Sequence, residues 1–118
     1  MLKFKKESAE VIYSKDKLLT LSRKDMSFLE KKSLLSKKKI FRLCAHKNTK
    51  DKIHQMFIVH PKNYFVHPHK HKNEESMIVL KGSVDIDLFN NYGKIKKVIK
   101  MGDYLSSKTF FYKLPRNI

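Results

Sequence analysis

The sequence has 118 residues and a formal net charge of +16 at pH 7, because 27 lysine and arginine residues outnumber 11 aspartate and glutamate residues. This length indicates one domain, which buries about two thirds of the surface its unfolded chain exposes. No run of residues reaches the roughly 18 apolar positions of a membrane-spanning helix, and the lysine-rich start lacks the apolar stretch of a signal peptide. The lone Cys44 excludes an intramolecular disulfide and a multi-cysteine zinc site. We therefore expect a cytoplasmic protein without a membrane partner.

The strong positive charge first suggests an anionic partner such as nucleic acid. Only three of the basic residues are arginine, namely Arg23, Arg42 and Arg116, whereas phosphate and base recognition depends heavily on the planar guanidinium group. The lysines are also spread along the whole chain. We therefore interpret the charge as a solvated basic surface and do not expect nucleic acid as the partner, although a basic nucleic-acid-binding protein is kept as an alternative.

The chain begins with residues 1–21, which we expect to be an N-terminal arm or edge strand with a short strand around Val11 to Tyr13. Ser22 is a good N-cap and Asp25 follows three residues later, which predicts that a helix starts here. An apolar stripe of Met26, Leu29, Leu34 and Leu35 then predicts one amphipathic helix over about residues 23–36.

From Ile40 onward, short apolar or aromatic runs are separated by polar residues, glycine and proline, which is typical of β-structure. We predict strands near residues 40–43, 55–59, 64–69, 76–80, 84–89, 94–99 and 109–114. The clearest alternation places Val84, Ile86 and Leu88 on one face of a strand. Many short antiparallel strands must hide their edges, so a small barrel or sandwich follows.

The spacing of His69, His71, Glu75 and Gly82 is the most specific signal in the chain. On a strand, His69 and His71 face the same way, and Glu75 at the start of the next strand brings a carboxylate towards them. Gly82 follows where a chain reversal needs positive φ. Two imidazoles and one carboxylate suit Fe(II) and related divalent ions, so we predict a metal site with His69, His71 and Glu75 as ligands.

Other residues are candidates for a supporting role around this site. His67 is expected to form the second layer or the pocket wall, and His46 could approach the site because it follows an apolar strand. Tyr64 and Tyr112 are candidate pocket walls. The competing interpretations are that the histidines are surface residues among lysines, that Glu75 pairs with a lysine, and that the aromatic residues belong to a core.

The motif His69-x-His71-x-x-x-Glu75 followed by Gly82 resembles the first characteristic motif of the cupins. Further similarity to the WbuC family of cupin-fold metalloproteins is found at Arg42 to His46, at Asp51 to Met56, at Tyr64 to Gly82 and at Phe111 to Pro115. The resemblance covers about residues 20–118. It implies a mainly β, cupin-like double-stranded β-helix over residues 22–118, with the N-terminal helix followed by a small antiparallel barrel from about residue 40 to 118.

The resemblance also implies one divalent metal ion, with iron, manganese, zinc and nickel as candidates, and a role near bacterial surface polysaccharide (O-antigen) biosynthesis. An enzyme of this type could isomerise or epimerise a nucleotide-linked sugar, and the basic surface would attract such an anionic small molecule. A non-catalytic cupin module that senses a sugar or a metal is the alternative, so enzyme activity is left open.

Two positions depart from the cupin pattern. Asn63 stands where the motif usually has glycine, and no histidine follows His71, although cupins generally supply another from a second motif. We expect either that the chain is truncated before its last strands or that another donor completes the site. A barrel that lacks a terminal strand would expose an edge, which suggests a missing tail or pairing with a partner subunit, and we expect a homodimer.

Overall fold

The computed structural model of the protein describes residues 2–66, 69–70 and 72–116. The chain divides into two compact units, Met1–Phe65 and Val66–Ile118. The described strands are β1 (Phe4–Lys6), β2 (Val11–Ser14), β3 (Phe41–Cys44), β4 (Met56–Val59), β5 (Glu75–Ile78), β6 (Ser83–Phe89), β7 (Ile95–Gly102) and β8 (Phe111–Leu114), and the helices are α1 (Arg23–Leu35) and a short 3-10 helix (Tyr104–Ser106). The prediction of a mainly β protein with one N-terminal helix is confirmed.

Helix α1 begins at the predicted position. The backbone N–H and the hydroxyl group of Ser22 both donate to Asp25 Oδ2, at 2.8 and 3.1 Å. Leu29 is buried, but the assignment of Leu34 and Leu35 to the apolar stripe is wrong, because these side chains are 65% and 82% exposed. Successive helical residues turn by about 100°, so the buried side continues from Leu29 to Ser33, four residues later.

Strands β1 to β4 form one four-stranded sheet in chain order. Because β2 and β3 are parallel neighbours, the chain must cross over between them, and α1 lies in this crossover. Leu29 of α1 packs against Ile12, Phe41 and Leu43, which form the buried core of this unit. The short strand predicted around Val11 to Tyr13 is present as β2, which is paired on both sides, and β1 is the outer strand of the sheet.

In the second unit, β5 pairs with β8 and β6 pairs with β7, and both pairs are antiparallel. The predicted alternation in β6 is confirmed, since the register places Val84 and Ile86 opposite Met101 and Ile99. Gly82 precedes β6 with φ of 86°, as the predicted chain reversal requires. Along the chain, the β6–β7 hairpin therefore lies between the two paired strands β5 and β8.

Six of the seven strands predicted after residue 40 are present with shifted ends. The strand predicted at residues 64–69 is wrong, because the described residues of that range, 64–66 and 69, lie outside every strand. Tyr64, Phe65 and Val66 are 44%, 65% and 51% exposed, so they have no buried face that would stabilise pairing. Asn63 adopts φ of 63° in the turn just before them, which redirects the chain.

The predicted closure into a barrel is not seen in the described part of the chain. Its strands form one sheet of four strands and two sheets of two strands. None of the described helices combines the length and the apolar character that crossing a membrane requires.

The core of the first unit allows a matched pair of substitutions in one helix. We expect Leu29→Ala to lower the free energy of unfolding by about 2–5 kcal/mol, because it leaves a cavity against Leu43. Leu35→Ala removes the same atoms from an 82% exposed side chain and should change stability by less than about 0.5 kcal/mol. Urea denaturation followed by circular dichroism measures both. Equal effects would contradict the packing of α1 described above.

Candidate functional site

The pairing of β5 with β8 brings two of the predicted site residues together. Tyr112 lies directly opposite Met77, and Glu75 lies two residues before Met77 on the same strand. Residues two apart in a strand share a face, so Glu75 and Tyr112 are diagonal neighbours on one side of this sheet. The phenol group of Tyr112 donates a hydrogen bond of 2.8 Å to Glu75 Oε1.

The surroundings of this pair are partly shielded from water. Tyr112 is 8% exposed, and Glu75 is partly buried. Burial raises the pKa of Tyr112, and the hydrogen bond to Glu75 and the negative charge of Glu75 raise it further. The phenol is therefore protonated at neutral pH and holds the carboxylate in one orientation.

The side chain of the neighbouring Glu74 lies in a different environment. Its carboxylate lies 3.5 Å from Lys113 Nζ in a salt bridge whose side chains are more than half exposed. Glu74 and Lys113 thus form a surface pair, which contributes little to stability. Alternation along β5 therefore separates a surface carboxylate from the partly buried Glu75.

The remaining predicted ligands are described only in part. His69 lies in the segment before β5 and outside any strand, while His71 and His67 fall outside the described residues. Next to His69, Lys70 Nζ donates a hydrogen bond of 3.2 Å to Asn91 Oδ1 in the β6–β7 turn. No group of three His, Cys, Asp or Glu side chains suited to a metal ion is found among the residues that the structure describes.

Tyr112 also lines an open groove of about 470 Å³ beside β7. The residues that line the groove are Lys97, Val98, Ile99, Lys100, Thr109 and Tyr112, and alternation along β7 places Lys97 and Lys100 on opposite faces of the strand. An isolated β-bridge pairs Met101 of β7 with Thr109 at one end of the groove. The groove therefore forms where the chain before β8 separates from β7. Lysines and hydroxyl groups at such an edge can bind an anionic or hydroxyl-rich small molecule.

The other two candidate residues, His46 and Tyr64, lie in the first unit. The buried His46 has its Nδ1 atom 3.3 Å from both the backbone N and the backbone O of Gln55. Its ring stacks on His54 at 4.2 Å between centroids and meets Tyr13 edge-on at 5.6 Å. Tyr64 is 44% exposed and lies 5.3 Å from the His60 ring.

The sequence reasoning gave no site role to Tyr13, Arg42, Lys97, Lys100 or Thr109. Tyr13 hydrogen-bonds to Cys44, and burial raises the pKa of the Cys44 thiol, so Cys44 is a neutral buried group. The alternation of Arg42, Cys44 and His46 at two-residue spacing was a signal for one shared face. By contrast, no local pattern connects Lys97 and Lys100 with Thr109, because their proximity depends on the tertiary fold.

Comparison with known proteins gives one match. A family model described as a domain of unknown function (DUF6016) matches residues 21–101, which is more than half of the chain. No curated protein and no solved structure matches the sequence. The family match starts just before α1 and ends in β7.

The contact between Tyr112 and Glu75 can be tested by removing one oxygen atom. We expect Tyr112→Phe to lower the free energy of unfolding by about 1.5–3 kcal/mol, because a partly buried carboxylate loses a hydrogen-bond donor. Tyr104→Phe removes the same atom from a 75% exposed side chain and serves as the control. Urea denaturation measures both variants. A Tyr112→Phe protein as stable as the control variant would argue against the described contact.

Proposed function

The chain belongs to the DUF6016 family of unknown function, and we propose that it is a cupin-type protein that binds one divalent metal ion through His69, His71 and Glu75. The proposal combines the motif spacing with the surroundings of Glu75. The observation that carries it is the hydrogen bond of 2.8 Å from Tyr112 to Glu75.

The strand pairing supports the cupin part of this proposal. Jelly-roll folds such as the cupins are built from antiparallel strand pairs that are nested within one another. The β5–β8 pair encloses the β6–β7 pair in sequence, which is one such nested set. Gly82 and Asn63, at the two glycine positions of the motif, both have positive φ.

The environment of Glu75 supports the metal part of the proposal. A carboxylate ligand of a metal ion is usually held by a further hydrogen bond, which fixes its orientation and tunes its affinity. Tyr112 supplies that bond to Oε1 of Glu75, so the carboxylate fits a ligand role. His69 and His71 would add two neutral nitrogen donors, a set that suits iron, manganese, zinc or nickel.

The residues that line the groove beside β7 indicate which class of substrate could bind there. A metal ion bound here would supply Lewis-acid polarisation of a hydroxyl or carbonyl oxygen. Whichever of Lys97 and Lys100 faces the groove would hold an anionic group, and Thr109 would bind a hydroxyl group. We therefore propose a nucleotide-linked sugar as the ligand, isomerised or epimerised in bacterial surface polysaccharide biosynthesis. If sugar nucleotides bind without turnover, the protein is a sensing module on the same fold.

Metal content tests the first part of the proposal. Protein purified without a histidine tag should contain about one metal ion per chain, as measured by elemental analysis with mass spectrometry. The variant with both His69→Ala and His71→Ala should lose this metal, and Tyr112→Phe should bind it about 10- to 100-fold more weakly. A variant with His54→Ala and His60→Ala removes two imidazoles elsewhere and should keep it. A folded wild-type protein without metal after incubation with each candidate ion would exclude the site.

Binding of UDP-glucose, measured by isothermal titration calorimetry, tests the groove. We expect Lys97→Gln with Lys100→Gln to weaken binding by about tenfold or more, since the lysine that faces the groove contributes a charged hydrogen bond. The control, Lys24→Gln with Lys31→Gln, removes the same charge from exposed positions of α1. Equal weakening in both variants would attribute binding to the net charge of +16 rather than to the groove.

A further inference from the structure

The two faces of the β1–β4 sheet differ in chemistry. Phe41 and Leu43 of β3 face α1 and belong to the core. Alternation along the strand therefore places Arg42 and Cys44 on the opposite face, away from the helix. In the register of the sheet, Arg42 lies between Val11 of β2 and Ile58 of β4. An arginine thus occupies the middle of a sheet face, flanked by apolar side chains.

Arg42 has a hydrogen-bond donor that the described residues do not satisfy. Its Nε atom is buried and has no hydrogen-bond partner among them. Buried polar atoms almost always have a partner, and one that is left without a partner destabilises the fold, more so where the group is charged. The guanidinium group cannot relieve this cost by losing its proton, because it stays charged at any physiological pH. This donor therefore requires an acceptor.

The groups around Arg42 favour an external anion as that acceptor. Tyr13, Cys44 and His60 are the titratable groups whose pKa Arg42 influences. Partial burial raises the pKa of Tyr13 and of Cys44, so both are uncharged at neutral pH. Glu7 is the carboxylate that acts on Tyr13, and it accepts no hydrogen bond from Arg42 Nε. Glu10 contacts Arg42 through its backbone, where its carbonyl oxygen accepts from the Arg42 N–H at 2.8 Å. None of the described carboxylates accepts a hydrogen bond from Arg42 Nε.

His60 adds a second donor near Arg42. It follows β4 two residues after Ile58, so alternation places it on the same side of the sheet as Arg42. Partial burial lowers the pKa of His60, and the positive charge of Arg42 lowers it further. The imidazole is therefore neutral at pH 7 and can donate one N–H without adding charge.

We propose that Arg42 anchors a second binding site, for a small oxyanion, on the face of the β1–β4 sheet opposite α1. The ligand is a phosphoryl or carboxylate group, which accepts two parallel hydrogen bonds from the Nε edge of a guanidinium. His60 and the phenol of Tyr13 border the position of the anion. This site lies in the first unit and does not depend on the metal site proposed for the second.

Nuclear magnetic resonance of the nitrogen-15-labelled full chain tests the site directly. The three arginines give three Nε–H signals, and Arg42→Lys identifies the one from Arg42. Sodium phosphate and sodium acetate are titrated separately at pH 7, against sodium chloride at equal ionic strength. We expect a saturable shift of the Arg42 signal, with Arg23 and Arg116 as internal controls. The His60 pKa should rise in the same samples, because a bound anion favours the imidazolium.

Variants then distinguish the effect of the guanidinium geometry on anion binding from the effect of positive charge alone. Arg42→Lys keeps the charge and should bind the anion at least about tenfold more weakly, since an ammonium group lacks the two-pronged edge. Arg42→Gln should abolish binding, and Lys24→Gln, which loses the same charge on α1, should bind as the wild type does. If Arg42→Lys does not fold, Arg23→Lys and Arg116→Lys identify the Arg42 signal by elimination, and the titration of the wild-type protein then decides.

Each outcome of the titration has a defined meaning. A response to phosphate alone identifies a phosphoryl group, a response to acetate alone identifies a carboxylate, and a response to both identifies a general oxyanion site. The same shift in chloride, or no shift of the Arg42 signal in either titration, overturns the proposal. A metal-free but anion-binding protein would refute the proposed function and leave this site intact.

Discussion

The antiparallel pairing of β5 with β8 is the constraint on which the candidate site depends. It joins residues that are 37 positions apart in the chain and places the Tyr112 phenol 2.8 Å from Glu75. It also encloses the β6–β7 hairpin and brings Tyr112 to the groove beside β7. Forming such a long-range contact closes a long loop, which costs conformational entropy. A partly buried, charge-assisted hydrogen bond offsets part of this cost.

The first unit is organised by a different constraint, the parallel pairing of β2 with β3. A parallel pair cannot be joined by a short turn, so the intervening chain must cross one face of the sheet. Helix α1 takes that path and buries Leu29 against Leu43. Because one face is covered by the helix, the apolar residues of β3 gather there, and Arg42 and Cys44 are left to the other face. The same crossover thus explains both the core and the location of the Arg42 site.

The positive charge has no single structural role in the described residues. Lysines appear in the groove, on exposed positions of α1 and in the surface salt bridge of Lys113 with Glu74. Dispersed cations raise the local concentration of anions without selecting one. Selection requires positioned donors, and the described residues offer these at Arg42 and beside Tyr112. We therefore propose that the net charge attracts anionic ligands and that these few donors would recognise them.

The sequence by itself determined the features that depend on local interactions. The Ser22 and Asp25 pair set the start of α1, the alternation at Val84 and Ile86 set β6, and Gly82 set the reversal before it. Caps, alternation and positive φ are properties of a few adjacent residues, so a sequence pattern carries them. The motif also singles out Glu75, whose side chain accepts a hydrogen bond from Tyr112.

Only the tertiary structure decided which of these local elements meet. Leu35 fits an apolar stripe by composition but is exposed, because the direction of the helix on its sheet selects Leu29 and Ser33 instead. Residues 64–66 have the composition of a strand, yet none of their neighbours buries them. The contact of Tyr112 with Glu75 and the unsatisfied Nε of Arg42 depend on strand register and on packing between distant segments. Sequence patterns describe one segment at a time, whereas burial and register are set by the segments packed around it.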